Sequence, residues 1–421
     1  MNTSAAHTDT NPASQSFPVA LVPRINIHVF ADNQQTAEMV QVASVDRRMA
    51  RAHVTIQLGG IDGAVQVFSG QPTPSLLIVE THGGRDQVLG ELMKLAEVCQ
   101  PDTKVVVIGH VNDVILYREL MRQGISEYLV APINPLVLIE TIAGLYTDPK
   151  SAPLGRIIAF VGCKGGVGSS TIAHNVAWQL SQKHSIETVI TDLDLAFGTA
   201  SLNFNHEAGG GIFEALSQPD RVDATLIDRL MTKLGDKLNL LNSVSGVERD
   251  FNIEAHAVET VLNTVRQSSP MIVVDVPNMW APWIKYTLLN ADEVIVTATP
   301  ELPSLRNAKS LIDLLRSQRP NDKLPRLILN QVGVPKRPEI PATEFAKALG
   351  MVPSAIIPYD PQSFGTAQGN GQMLHEVAPK SKAAEAMQNL AQEFAGNPKT
   401  AKPVKQGLGG FFKNLSLKKK K

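Results

Sequence analysis

The sequence predicts an α/β protein built from two successive, mainly parallel sheets with helices on both faces. Three observations carry this. Short apolar runs alternate with helix-compatible stretches along most of the chain. A polar segment with two prolines, residues 147–153, interrupts that alternation. A second alternation then begins, and its first strand runs directly into a glycine-rich loop.

The bulk properties agree. A chain of 421 residues suits two or three domains. Hydrophobic residues make up 43%, enough to fill their cores and to exclude global disorder. Lys and Arg total 39 against 40 Asp and Glu, which argues against nucleic acid as a partner for the whole surface. The average hides an asymmetry. After Gly396 there are eight lysines and no acid, leaving −9 on the rest. Cys99 and Cys163 lack a CxxC partner, so neither a disulfide framework nor a cysteine zinc site is expected. No signal peptide and no 18-residue apolar run is expected either, which points to a cytoplasmic protein.

Residues 1–22 are polar and read as a disordered lead. Residues 23–147 form the first unit, with strand candidates at 25–30, 76–79, 105–108 and 127–130 and helix candidates at 87–99 and 114–123. Residues 148–155 are the linker. Residues 156–395 form the larger unit, with strands at 156–161, 188–191, 237–241, 271–274, 293–297, 326–329 and 355–358, and helices at 170–183, 255–268 and 305–319. Residues 396–421 are a basic tail. There Leu408, Phe411, Phe412 and Leu415 share one helical face beside Lys418–Lys421, which suits an interfacial helix on an anionic membrane over 407–421. Three glycines weaken that helix, and a solubilising tail is the alternative.

The loop holds the chemistry. A strand, then Gly162, Cys163, Lys164, Gly165, Gly166, Val167, Gly168, Ser169, Ser170 and Thr171, then a helix, make a phosphate cradle. Glycines let successive N–H groups converge on phosphate oxygens, and the Ser170 hydroxyl is placed for Mg²⁺. The apolar run 271–274 ends in Asp275, the arrangement by which a buried strand delivers one carboxylate to the metal's water shell.

Lys164-Gly165-Gly166-Val167-Gly168 resembles the deviant Walker A motif of the MinD/ParA family, KGGxGK[ST]. The resemblance implies a MinD/ParA-like P-loop domain, ATP and Mg²⁺ as cofactors, and a homodimer in which Lys164 reaches the partner's nucleotide. It implies that Asp194, with Asp192 beside it, positions the attacking water and the metal. It further implies that Asn330 reads the adenine edge and that Pro358 lies in a late nucleotide-side loop. Ser169 departs from the pattern, standing where the second lysine should grip the β- and γ-phosphates. A serine neutralises nothing there, so binding is expected with weak or absent hydrolysis.

Further strings narrow the resemblance: Asn290-Ala291-Asp292-Glu293-Val294, Leu305-Arg306-Asn307-Ala308-Lys309, the stretch from Leu329 to Arg337, and Pro358-Tyr359-Asp360-Pro361. Over most of the chain these look like the CpaE/TadZ proteins of Tad (Flp) pilus assembly. Such proteins carry a receiver-like, flavodoxin-like domain first. The places of its chemistry read Asp32, Glu80, Gly109 and Ala131, so its phosphorylation chemistry is lost and a docking and dimerisation role is expected. A permanently acidic Glu80 mimicking phosphate is the alternative. The resemblance implies a localisation and assembly factor, peripheral to the inner membrane and polar, with the pilus secretion ATPase and inner-membrane assembly proteins as partners. An active MinD/ParA-type ATPase positioning a membrane or DNA cargo is the alternative.

Overall fold

The computed structural model describes residues 21–147, 153–207, 210–243 and 251–396. The expected tail helix over 407–421, most of the lead and residues 148–152 of the linker lie outside the described residues.

The first sheet holds five parallel strands: β1 (Asn26–Ala31), β2 (His53–Leu58), β3 (Leu76–Thr81), β4 (Lys104–Gly109) and β5 (Glu127–Val130). Their order is β2-β1-β3-β4-β5, the doubly wound flavodoxin-like order. β3 is buried along its whole length, as a central parallel strand covered on both faces must be. Its side chains alternate: Leu76 and Ile78 enter one core, and Leu77 and Val79 the other. Val22, assigned from sequence to the lead, is fully buried and donates its N–H to the Arg48 carbonyl at 2.9 Å, so packed structure begins before residue 23.

The second sheet has eight strands: β6 (Arg156–Gly162), β7 (Thr188–Asp192), β8 (Thr232–Gly235), β9 (Leu238–Leu241), β10 (Met271–Val276), β11 (Glu293–Ala298), β12 (Arg326–Val332) and β13 (Ala355–Pro358). The order is β13-β12-β11-β6-β10-β7-β9-β8, parallel except where β8 pairs antiparallel with β9. Central β6 again splits its residues between faces, with Ile157, Ala159 and Val161 against Ile158 and Phe160. The helix Ala255–Ser268 buries Val258, Val261, Leu262 and Val265, an i, i+3, i+4, i+7 stripe against the first face. The helices Ser169–Gln182 and Lys382–Ala395 cover the second.

The two sheets meet through the short turn Arg47–Met49. Asp322 accepts from Arg47 Nε at 2.9 Å, from Arg319 Nε at 2.9 Å and from Arg48. Asn321 Nδ2 donates to Asp46 at 3.0 Å, and Arg51 pairs with Glu259. Burial pushes the Asp322 carboxyl up, but Arg47 and Arg319 outweigh it and hold it below the usual range. No helix among the described residues is long and apolar enough to cross a membrane.

Candidate functional site

β6 delivers the glycine loop at the carboxyl end of the second sheet, and the helix Ser169–Gln182 starts from it. Gly166 and Gly168 adopt φ of +78° and +84°, left-handed conformations that L side chains rarely take. Four side-chain amides hold the loop's carbonyls. Asn278 Nδ2 donates to Gly162 O at 2.8 Å, and Asn307 Nδ2 to Cys163 O at 3.0 Å. Gln331 Nε2 donates to Gly166 O at 3.0 Å, and Asn330 Nδ2 to Val167 O at 2.8 Å. The last two come from an irregularity in β12. Its register with β13 shifts between Leu329 and Val332, and Gln331 takes φ of +55°. A bulge here re-aims consecutive side chains onto the loop. Of these donors, Asn278 was not singled out from sequence, and Asn307 and Gln331 entered only within the strings that carry the CpaE/TadZ resemblance.

Asn330, expected at a base edge, has one of its polar atoms on the loop itself. It is buried, and its amide nitrogen is committed to Val167. The Ser169 Oγ is buried with no hydrogen-bond partner, so this hydroxyl is not offered on the loop's open side. Ser170 and Thr171 are half-buried at the helix start, and Pro358 ends β13 opposite Val332. Lys164 Nζ lies 3.1 Å from Glu301 of its own chain, and Glu301 also takes Arg337 Nη1 at 3.1 Å.

Behind the loop, parallel pairing of β7 and β10 sets Asp192 directly beside Asp275. Asp192 is fully buried, its Oδ1 accepts the Asp194 N–H at 2.9 Å, and its Oδ2 accepts the Ala200 N–H at 3.4 Å. Through these bonds it anchors the loop 193–200. Burial, then the Asp275 charge, push its carboxyl up to about 7. Asp194 is half-buried, accepts the Phe197 N–H at 3.1 Å, and is likewise raised, by burial first. Sequence gave no sign of His174. This fully buried ring lies 3.4 Å from Asp275 Oδ2 through Nε2, without hydrogen-bond geometry, while Asn203 Nδ2 donates to its Nδ1 at 2.9 Å.

The donor set fits a nucleotide's phosphates and Mg²⁺. Added Cβ atoms at Gly165 and Gly166 would meet nothing within 4 Å, so the loop's outer side is open. Ser170 and Asp275 are the residues that would hold the metal. What the set lacks is a second cation from Ser169. A cleft of about 450 Å³ adjoins the loop along Gly162, Cys163, Asn278, Trp280 and Asn307.

Comparison with known proteins follows this division. The AAA domain family matches residues 155–324. A ParA family ATPase from Chlorobium tepidum is 28% identical, covers 56% of this chain and 98% of its own, and superposes with a TM-score of 0.50. The septum site-determining protein MinD of Helicobacter pylori is 23% identical over 57% of this chain and 90% of its own length. A pilus assembly protein CpaE from Caulobacter crescentus is 49% identical over 31% of this chain and 98% of its own, with a TM-score of 0.30. The chain belongs to the CpaE family. It carries that family's sequence in the N-terminal part and a MinD/ParA-like P-loop fold after it.

Proposed function

We propose that this chain is a nucleotide-gated assembly factor of a Tad (Flp) pilus, binding Mg-ATP at the 162–171 loop with weak or no hydrolysis. The carrying observation is a fully built phosphate cradle whose one missing element is a side-chain cation, with Ser169 Oγ sealed beneath the loop. Backbone N–H groups of the loop bind the phosphates, and the N-terminus of the helix Ser169–Gln182 adds its dipole. Mg²⁺, when bound, screens phosphate charge. Ser170 and Asp275 orient it, and Lys164 supplies the nearby positive charge. Without a second lysine, no fixed cation follows the charge that develops on the transferring group.

In this proposal residues 23–147 are a receiver-like docking domain and 156–395 the P-loop domain. Nucleotide favours a homodimer, in which Lys164 leaves Glu301 for the partner's phosphates. Phe197 (72% exposed), Leu202, Trp280 and Leu302 are large apolar side chains left open near the loop, which supports a protein partner at this face. The dimer recruits the pilus secretion ATPase and inner-membrane proteins at the membrane, often at a pole, aided by the cationic tail.

The test is calorimetric binding of Mg-ATP to the purified chain, with phosphate release followed in the same sample. Binding without turnover is expected. Turnover at MinD-like rates that Lys164→Ala abolishes would instead establish an active MinD/ParA-type ATPase. Salt-sensitive, sequence-independent DNA binding would point to a DNA cargo.

A further inference from the structure

The helix Ser169–Gln182 carries one residue that its packing does not explain. Its inward positions Ile172, Ala173, Val176 and Ala177 are apolar and belong to the core of the sheet's second face. His174 stands among them with no exposure at all. It lies one turn after Ser170 on the same side of the helix. The helix packs on β10, and the ring there meets Asp275. His174 is thus next to both residues that would hold the metal.

An amide nitrogen only donates, so the bond from Asn203 Nδ2 at 2.9 Å makes His174 Nδ1 an acceptor. The ring's proton is then on Nε2. That nitrogen lies 3.4 Å from Asp275 Oδ2, is buried and has no hydrogen-bond partner. A buried N–H without an acceptor is costly, and an apolar residue would fill the space without it.

The acceptor is at hand. Among the described residues no group donates a hydrogen bond to the Asp275 carboxylate, so it is free to turn. Asp192 beside it is not, because its oxygens already take the Asp194 and Ala200 N–H groups. A small rotation of Asp275 brings Oδ2 to the usual charge-assisted length of about 2.7–2.9 Å.

We infer that His174 is a positioning residue for Asp275: its Nε2–H takes Oδ2 and leaves Oδ1 for the metal's water shell. The inference rests on the nucleotide reading of the 162–171 loop. Groups that orient a metal-site residue from behind set how well the metal is held. Asn203 backs the ring from its other side and ends the short helix Ala200–Asn203, beside the exposed Leu202. The imidazole therefore links the carboxylate to the segment that follows Gly198.

The experiment is calorimetric titration of the full chain with a non-hydrolysable ATP analogue, across a range of Mg²⁺ and in EDTA. His174→Leu should bind the metal-free analogue as wild type does. It should need about 10–100-fold more Mg²⁺ for the metal-dependent gain in affinity. His174→Gln, whose amide nitrogen can stand in for Nε2, should recover most of that loss. Equal Mg²⁺ dependence in wild type and His174→Leu would overturn this inference alone. Equal loss in both variants would reduce the effect to packing and overturn it too. A wild type that binds no analogue would overturn the nucleotide reading, and this inference with it. Should the variants melt below wild type, proton resonance on wild type isotopically labelled at histidine decides. His174 is the one buried histidine among the described residues, so its ring N–H exchanges slowest. That signal must move downfield when Mg²⁺ joins the bound analogue, and an unmoved signal would overturn the inference.

Discussion

Lys164 and Glu301 of the same chain form an ion pair, Nζ to Oε2 at 3.1 Å, with Arg337 on the other carboxylate oxygen. Glu301 thus occupies the lysine that the proposed dimer would use. Both side chains are partly exposed, so releasing the pair changes the balance by about 0.2–1 kcal/mol, or up to about fivefold. Glu301→Gln should strengthen self-association with a non-hydrolysable ATP analogue by about that factor, and Lys164→Ala should remove it. Sedimentation equilibrium measures both. Unchanged association in both variants would cut the link between Lys164 and dimerisation.

Asp192 gives a pH dependence of unusual sign for a carboxylate. Its folded value of about 7 lies above the ordinary one of about 4, so the folded state holds the proton more tightly. The resulting stability is fully present below the unfolded value and is lost as pH rises through about 7. Asp192→Asn should flatten this part of the profile and raise Tm relative to wild type at pH 8, without added Mg²⁺. Thermal melts of both proteins from pH 4.5 to 8 check it, and parallel profiles would refute the assignment.

Gly168→Ala should damage the cradle more than its one methyl suggests. The position has φ of +84°, and a Cβ would sit 2.6 Å from Asn330 Nδ2. The left-handed conformation alone costs about 1–2 kcal/mol, and the Asn330–Val167 bond must also shift. Nucleotide affinity should fall about tenfold or more. Calorimetric affinity equal to wild type would show that the loop tolerates rearrangement.

Asp322→Ala should destabilise the chain by about 3–5 kcal/mol, since it strands buried guanidinium groups. Differential scanning calorimetry should then resolve separate transitions for the two sheets. Arg51→Ala, at the half-exposed edge of the same contact, should cost under about 1 kcal/mol. Equal effects of the two variants would contradict a buried hub at Asp322.

Central strands, the glycine loop and Asp275 were legible because each is written in consecutive residues. β2 was not: its half-exposed edge pattern lacks the continuous apolar run that marked β3 and β4. β8, with Lys233 and Gly235 in an antiparallel edge, was silent for the same reason. The donors that clasp the loop arrive from distant positions, Asn330 from 163 residues away, and His174 stands on a helix whose other residues explain themselves as core. Arg47 and Asp322 are separated by 275 residues, a distance no local pattern spans. The loop contact of Asn330 depends on the β12 bulge, which the sequence does not announce.

The four amides on the carbonyls of Gly162, Cys163, Gly166 and Val167 are all uncharged. Their grip does not weaken with added salt and does not titrate. The loop is consequently stiff before any ligand arrives, and occupancy costs little ordering of the backbone. In the proposed role, such a seat would work as a gauge of nucleotide concentration: it would fill and empty with supply, keeping its shape in both conditions, while the message would be carried by what the occupied face can then touch.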